Sequence, residues 1–237
     1  MSNLFLLPTL LGESDPQDVL PASYLSNVLP LRTFVVEDIR SARRFLRKIG
    51  FTVPFEDVTF FILDEHTSTL DIPEEFSQKD IGLLSEAGLP CVADPGTKMV
   101  KWAQARGMRV VPVSGPSSIF LSLMASGLNG QQFVFHGYLP VHPIDRIKKI
   151  RYIENHSCKT GFTEIFIETP YRNKHLFTSL LKTCKENTSL CLARNITLQS
   201  EKIQTFSIGE WKKMTMEELP KENAIFLLQA QQEQHYR

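Results

Sequence analysis

A chain of 237 residues with 42% hydrophobic and 22% charged side chains is neither disordered nor of low complexity, and it can bury one large core or two of roughly 100 to 120 residues each. Lys plus Arg and Asp plus Glu each number 26, so no global field draws the protein to nucleic acid or an anionic membrane, and any RNA contact must be local. No apolar run reaches the roughly 18 residues of a membrane span. The opening MSNLFLLPTLLGESDP lacks a basic start and is broken by Pro8 and Gly12, unlike a signal peptide. The four cysteines, Cys91, Cys158, Cys184 and Cys191, form no CxxC or Cys/His cluster with metal spacing. Reduced thiols, no metal, no membrane and a cytoplasmic location are expected.

In chain order, short apolar or β-branched runs alternate with longer amphipathic ones, the pattern of an α/β protein with mainly parallel strands. Strands are expected at Leu4–Leu7, Thr33–Val36, Phe60–Ile62, Ile81–Leu84 and Val110–Val113. Ile39–Ile49 reads as a helix with Phe45, Leu46 and Ile49 on one face, a basic remainder of Arg40, Arg43, Arg44, Arg47 and Lys48, and Gly50 as its stop. Thr97–Arg106 is a second helix, ending at Gly107 before the next strand. Ser114-Gly115-Pro116 punctuates the chain and Ser117 is placed to cap a helix at Ser118–Ser126. The domain boundary is expected here, giving α/β domains at 1–114 and 115–237. The second half has strand candidates at Phe133–Phe135, Glu164–Ile167, Leu190–Ala193 and Ala224–Leu228, with helices near Pro143–Ile153, Tyr171–Cys184 and Met216–Leu219. Trp102 and Trp211 read as packing residues, Trp211 near a loop.

The segment Ser85-Glu86-Ala87-Gly88-Leu89-Pro90-Cys91-Val92-Ala93-Asp94-Pro95-Gly96 follows a strand and precedes a helix. In an α/β sheet, the loop at a strand's carboxyl end is where ligands bind. Its small residues let a ligand approach the backbone, and Glu86 and Asp94 offer acceptors for ribose hydroxyls or a cation. A nucleoside-type ligand is the expectation, with a plain Gly/Pro turn as the bland alternative.

The order SEAGLPCVADPG, ARGMRVVPVSGPSSIFLSLMASGL and FVFHGYLP resembles the tetrapyrrole methylase superfamily and, within it, the ribosomal RNA small subunit methyltransferase I group, whose members run SDAGTP…SDPG, REAGIRVVPLPGPSA…ALSASGLP and EGFLP. Glu37-Asp38-Ile39-Arg40-Ser41-Ala42-Arg43-Arg44-Phe45-Leu46 is similar to the group's EDTRHSRRLL, and Asp64-Glu65-His66 falls where it has DHNE. Glu168-Thr169-Pro170-Tyr171-Arg172 is similar to ESPHR, Ala193-Arg194-Asn195-Ile196-Thr197 to ARELT, and Glu201 falls on a further acid. The likeness covers Leu4 to Ala230.

The resemblance implies two α/β domains with a ligand cleft between them, a homodimer, S-adenosylmethionine as methyl donor, and the 2′-hydroxyl of a ribose in ribosomal RNA of the small ribosomal subunit as acceptor. By position, donor binding falls on Glu86, Ala87, Gly88, Asp94, Pro95, Gly96, Gly115, Pro116, Ser117, Ser118 and Ala193. Several positions depart from the pattern. The group's ATPIGN is Pro8-Thr9-Leu10-Leu11-Gly12-Glu13, its SDAG acid is lengthened to Glu86, and the acids of EGFLP and ARELT are His136 and Asn195.

Methyl transfer is an in-line displacement, so alignment and exclusion of water are the main tasks. A ribose hydroxyl is a poor nucleophile near neutral pH and needs an acceptor for its proton. Glu37, Asp38 and Glu168, each at a strand end, are the catalytic candidates; the alternative for Glu37-Asp38 is a helix-terminal acid pair. Arg40, Arg43, Arg44 and Arg172 are candidates for RNA phosphates, against the alternative of a solvated helix face. His66 and His136 lack partner spacing and read as satisfied residues. Two other functions compete: methylation of a tetrapyrrole-like small molecule, which needs an apolar cleft open to a flat macrocycle, and, from the changed acids, a non-catalytic homologue that keeps the donor.

Overall fold

A computed structural model of the chain describes residues 1–64, 67, 71–214 and 221–232. Glu65, His66 and the expected helix at Met216–Leu219 lie outside the described residues. The chain divides into unit 1, Met1–Ser117, and unit 2, Ser118–Arg237. Residues 115–117 belong with unit 1 because Gly115 packs directly on Pro8, where an added Cβ would meet the proline Cβ at 2.4 Å.

Unit 1 runs β1 (Asn3–Leu7), α1 (Pro16–Val19), α2 (Tyr24–Val28), β2 (Thr33–Val36), α3 (Ile39–Lys48), β3 (Thr59–Ile62), β4 (Ile81–Leu84), α4 (Thr97–Ala105) and β5 (Arg109–Pro112). The five strands form one parallel sheet in the order β3-β2-β4-β1-β5. Strand alternation supplies two cores. Phe34 and Val36 join Leu7, Tyr24 and Leu46 on the face of α1–α3, while Val35 joins Leu4, Leu83 and Met99 on the face of α4. Both faces are buried, which is why β2 and β4 read as continuous apolar runs.

Helix α3 begins where Asp38 accepts from the Ser41 amide at 2.8 Å. It ends in a Schellman turn: Gly50, at φ +90°, donates to the Arg47 carbonyl, and Phe51 donates to that of Leu46.

Unit 2 runs α5 (Ser118–Ser126), β6 (Phe133–Tyr138), α6 (Pro143–Thr160), β7 (Thr163–Glu168), α7 (Asn173–Thr183), β8 (Ser189–Arg194), β9 (Lys202–Ser207), α8 (Ile208–Lys213) and β10 (Ala224–Gln229). The sheet order is β6-β7-β10-β8-β9. Only β6 and β7 run parallel; β7–β10, β10–β8 and β8–β9 are antiparallel. The mainly parallel expectation therefore fails in this unit. The stretch between β8 and β9 is too short for the crossover that parallel strands need, and β9, an edge strand with polar Lys202 and Gln204, lacks a legible apolar pattern.

Helices α6, α7 and α8 share a core with β7, β8 and β10, and α5 packs against β8, β9 and β10. Phe166 and Phe226 stack at its centre, centroids 5.9 Å apart, each side chain contributing about 1.5–3 kcal/mol on burial. Trp211 lies on α8 rather than in a loop: a capping box of Ser207 and Glu210 starts that helix, and the buried indole donates to the Leu190 carbonyl at 2.8 Å. Among the described residues no helix is long and apolar enough to cross a membrane.

Candidate functional site

The strand order of unit 1 creates a switch point. The chain leaves β1 toward β2 and leaves β4 toward β5, in opposite directions from two neighbouring strands, so the loops after them open a crevice at the carboxyl edge. Two short contacts tie these loops together. Thr9 and Gly88 exchange backbone hydrogen bonds of 3.0 and 3.3 Å, and the buried Thr9 and Ser85 hydroxyls lie 3.3 Å apart. Gly88 sits at φ +75° and an added Cβ would press on Leu11 at 3.1 Å, so glycine is the residue this crossing admits.

A cleft of about 230 Å³ opens beside that crossing, with Ser41, Arg44 and Lys48 of α3 on one wall and Thr9–Glu13 and Ser85–Ala87 on the other. Two side-chain bonds join its walls. The Ser41 hydroxyl donates to Glu86 Oε1 at 2.7 Å, and Lys48 Nζ donates to Glu13 Oε2 at 3.0 Å. The Lys48 ammonium holds the Glu13 carboxyl below the usual carboxylate range.

Beyond Gly88 the loop is held in an unfavourable backbone. Cys91 and Ala93 adopt left-handed φ values of 68° and 58°, sterically costly for residues with a Cβ. Asp94 Oδ1 fixes this shape, accepting from the Cys91 amide at 3.2 Å and the Gly96 amide at 3.0 Å. Gly96 is buried against Cys91 and Leu83 and starts α4. Pro95 is half-buried, and Pro116 and Ser117 are buried. Asp94 thus organises the loop with one oxygen, and Glu86 spends one on α3.

The acids and arginines separate by role. Glu37 follows β2, half-buried. Asp38 caps α3, and hydrogen bonding from the Ser41 amide holds its carboxyl below the usual range, so the helix-terminal alternative describes this residue. Arg43 lies over the rings of Phe55 and Phe60, 5.3 Å from each centroid, and Arg47 over Phe55 at 4.1 Å. Arg44 points into the cleft instead, and Arg40 is exposed.

In unit 2, the end of the sheet formed by the last residues of β7 and β8 carries a second polar constellation. Glu168 is fully buried. Its Oε1 accepts from the Thr169 amide at 2.7 Å and pairs with Arg172 Nη2 at 2.7 Å, whereas its Oε2 has no hydrogen-bond partner among the described residues. Asn173, buried at the start of α7, grips the Glu222 carbonyl through Nδ2 at 2.6 Å and leaves Oδ1 unpaired. After β8, Asn195 and Thr197 take left-handed φ of 51° and 71°. Asparagine tolerates that region while β-branched threonine is strained there. Glu201 steadies the turn by accepting from the Thr197 amide at 2.8 Å, and the Thr197 hydroxyl is buried without a partner. Buried orphaned polar atoms are rare, and among the described residues those of Glu168, Asn173 and Thr197 belong to this end of the sheet. Ala193 is buried in β8 beside this turn, and Ser118 opens α5.

His136 on β6 is a satisfied residue. Its Nε2 lies 2.5 Å from Oε2 of the fully buried Glu164, whose Oε1 meets His156 Nδ1 at 2.5 Å. Sequence reasoning missed Ser41, Lys48, Ser85, Glu164 and Asn173. Of these, Ser41 carries a sequence signal, three residues after a capping aspartate.

A search of protein-family models finds no match. The crystal structure of the methyltransferase CobJ resembles this chain with a TM-score of 0.58 at 15% identity, over 97% of this chain and 93% of that one. The two sheets thus share the fold of that protein. Ribosomal RNA small subunit methyltransferase I of Streptococcus pyogenes serotype M6 is 31% identical over 212 residues, 87% of this chain and 69% of that protein. The same-named proteins of Pseudomonas aeruginosa and Bacillus subtilis are each 28% identical over 211 residues, covering 87% and 89% of this chain and 71% and 69% of theirs. The chain belongs to the ribosomal RNA small subunit methyltransferase I family.

Proposed function

We propose that this protein transfers a methyl group from S-adenosylmethionine to a ribose 2′-hydroxyl of ribosomal RNA in the small ribosomal subunit. The observation that carries the reading is the match to relatives of that name over 87% of the chain. In unit 1 the donor is assigned to the backbone of Ala87, Gly88 and Asp94–Gly96 and to Gly115–Ser117. In unit 2 it is assigned to Ser118 and Ala193 and to the unpaired atoms of Asn173 and Thr197, which accept what its amino and hydroxyl groups donate.

The acceptor hydroxyl needs a carboxylate within roughly 2.6–3.2 Å. Glu37 and Glu168 are proposed for that role. Asp38 holds α3 in place beside Glu37, and Arg172 fixes the orientation of Glu168. Arg40, exposed at the first turn of α3, meets RNA phosphates. The protein is proposed to work in the cytoplasm and to form a homodimer, the latter supported by Phe120 and Met124, exposed at 48% and 79% on α5.

The test is calorimetry with S-adenosylmethionine and its demethylated product, followed by incorporation of labelled methyl into small-subunit RNA, located as an alkali-resistant linkage. Saturable micromolar binding with incorporation supports the reading. Donor binding without incorporation into any RNA would identify a non-catalytic homologue, and incorporation into a tetrapyrrole would move the acceptor to the small-molecule class.

A further inference from the structure

The cleft between α3 and the two switch-point loops is not explained by donor binding. At about 230 Å³ it is smaller than the roughly 300–1,000 Å³ of sites that engulf a drug-sized molecule, so it suits one sugar-phosphate unit rather than the whole donor. Its floor is apolar, with Leu10, Leu11 and Leu84, and its wall carries Arg44 and Lys48 one helical turn apart. Among the described residues Arg44 makes no hydrogen bond or ion pair.

Both carboxylates at the rim are departures from the family pattern, Glu13 in place of an asparagine and Glu86 in place of an aspartate, and both reach across to α3. Glu86 bonds Ser41 and Glu13 bonds Lys48. Glu13 is 90% exposed in its side chain, and an exposed pair of this kind is weak and yields to a better-placed anion. A phosphodiester offers two oxygens that share one negative charge, one to the guanidinium and one to the ammonium.

We infer that this cleft is a binding site for one ribose-phosphate unit of a single RNA strand, in which Arg44 and Lys48 hold the phosphate and Glu13 is a built-in competitor that the phosphate displaces from Lys48. The inference rests on the reading that the acceptor is RNA. The sugar lies on the leucine floor, and Glu86, steadied by Ser41, accepts from its hydroxyl. Arg43, stacked on Phe55 and Phe60, takes no part.

The distinguishing consequence is a gain of affinity on removing a charge. Binding of a fluorescein-labelled 12-nucleotide oligouridylate is measured by anisotropy across a salt series, with thermal midpoints confirming that each variant is folded. Glu13→Asn is expected to bind about threefold more tightly, the worth of an exposed ion pair. Arg44→Ala and Lys48→Ala are each expected to bind about 5–10-fold more weakly and to lower the salt slope by about 0.7, one single-strand phosphate. Arg43→Ala is expected to keep the wild-type slope.

Unchanged or weaker binding by Glu13→Asn, or wild-type slopes in both Arg44→Ala and Lys48→Ala, would overturn the assignment. Displacement of the oligonucleotide by inorganic phosphate at equal phosphate concentration would also overturn it, reducing the cleft to a general anion site. Methyl transfer that proceeds normally in both cation variants sinks this inference while leaving the function intact; lost oligonucleotide binding without any transfer by the wild type does the reverse.

Discussion

Replacing Asp94 by Ala separates the donor loop's shape from the fold that carries it. The wild-type loop sets two left-handed residues, Cys91 and Ala93, against two amide bonds to one carboxylate oxygen. The backbone cost is roughly 1–2 kcal/mol for each residue, or about 2–4 kcal/mol together. Hydrogen bonds to a charged acceptor contribute roughly 1.5–3 kcal/mol each, or about 3–6 kcal/mol. The loop is therefore ordered by a margin of only about 1–2 kcal/mol, and without the carboxylate the balance reverses. A donor that binds the ordered loop must then restore it, weakening binding by about 30- to 1,000-fold, the equivalent of about 2–4 kcal/mol. Ala93→Gly removes one left-handed penalty, so the double variant should recover about fivefold. Calorimetry with the demethylated donor measures both, and thermal melts should show the two units intact. Binding by Asp94→Ala within twofold of wild type, or no recovery in the double variant, refutes this account of the loop.

The Cys91 thiol, pushed up to about 11 by burial and then by the Asp94 charge, should react slowly with a disulfide reagent at pH 8 and faster in Asp94→Ala, as followed by absorbance; equal rates would show that neither the charge of Asp94 nor the loop shape it holds governs the thiol. Arg172→Ala strands the buried Glu168 carboxylate and is expected to cost about 3–5 kcal/mol in urea unfolding, with Arg172→Lys recovering part of it. His136→Leu leaves half of the fully buried Glu164 without a partner and should cost about 1–3 kcal/mol, whereas a stability equal to wild type would mean that water or His156 alone satisfies the acid.

Much of unit 1 was legible because its local signals agree. Asp38 and Gly50 bracket α3, Gly107 ends the turn after α4, and strands buried on both faces read as apolar runs. Unit 2 was less so: β9 has no apolar alternation, and the capping box of Ser207 and Glu210 was passed over, leaving Trp211 in an apparent loop. The site divides in the same way. The donor loop announces itself through its glycines, prolines and acids, but the assignment of Asp94 to its own loop depends on backbone angles that composition does not reveal.

By itself the sequence determined the class of protein, because motif order, strand-end acids and the alternation of helix and strand are properties of the chain read along its length. Only the tertiary structure decided which charges act together. Ser41 and Glu86 are 45 positions apart, Glu13 and Lys48 35, and His136 and Glu164 28. The sheet order brings the loops after β1 and β4 side by side, and α3 lies against them with Arg44 on the rim of the cleft and Arg43 stacked on phenylalanines. That rotation of a basic helix about its own axis follows from which face is buried, and it separates the arginine placed to meet a phosphate from its neighbour that packs.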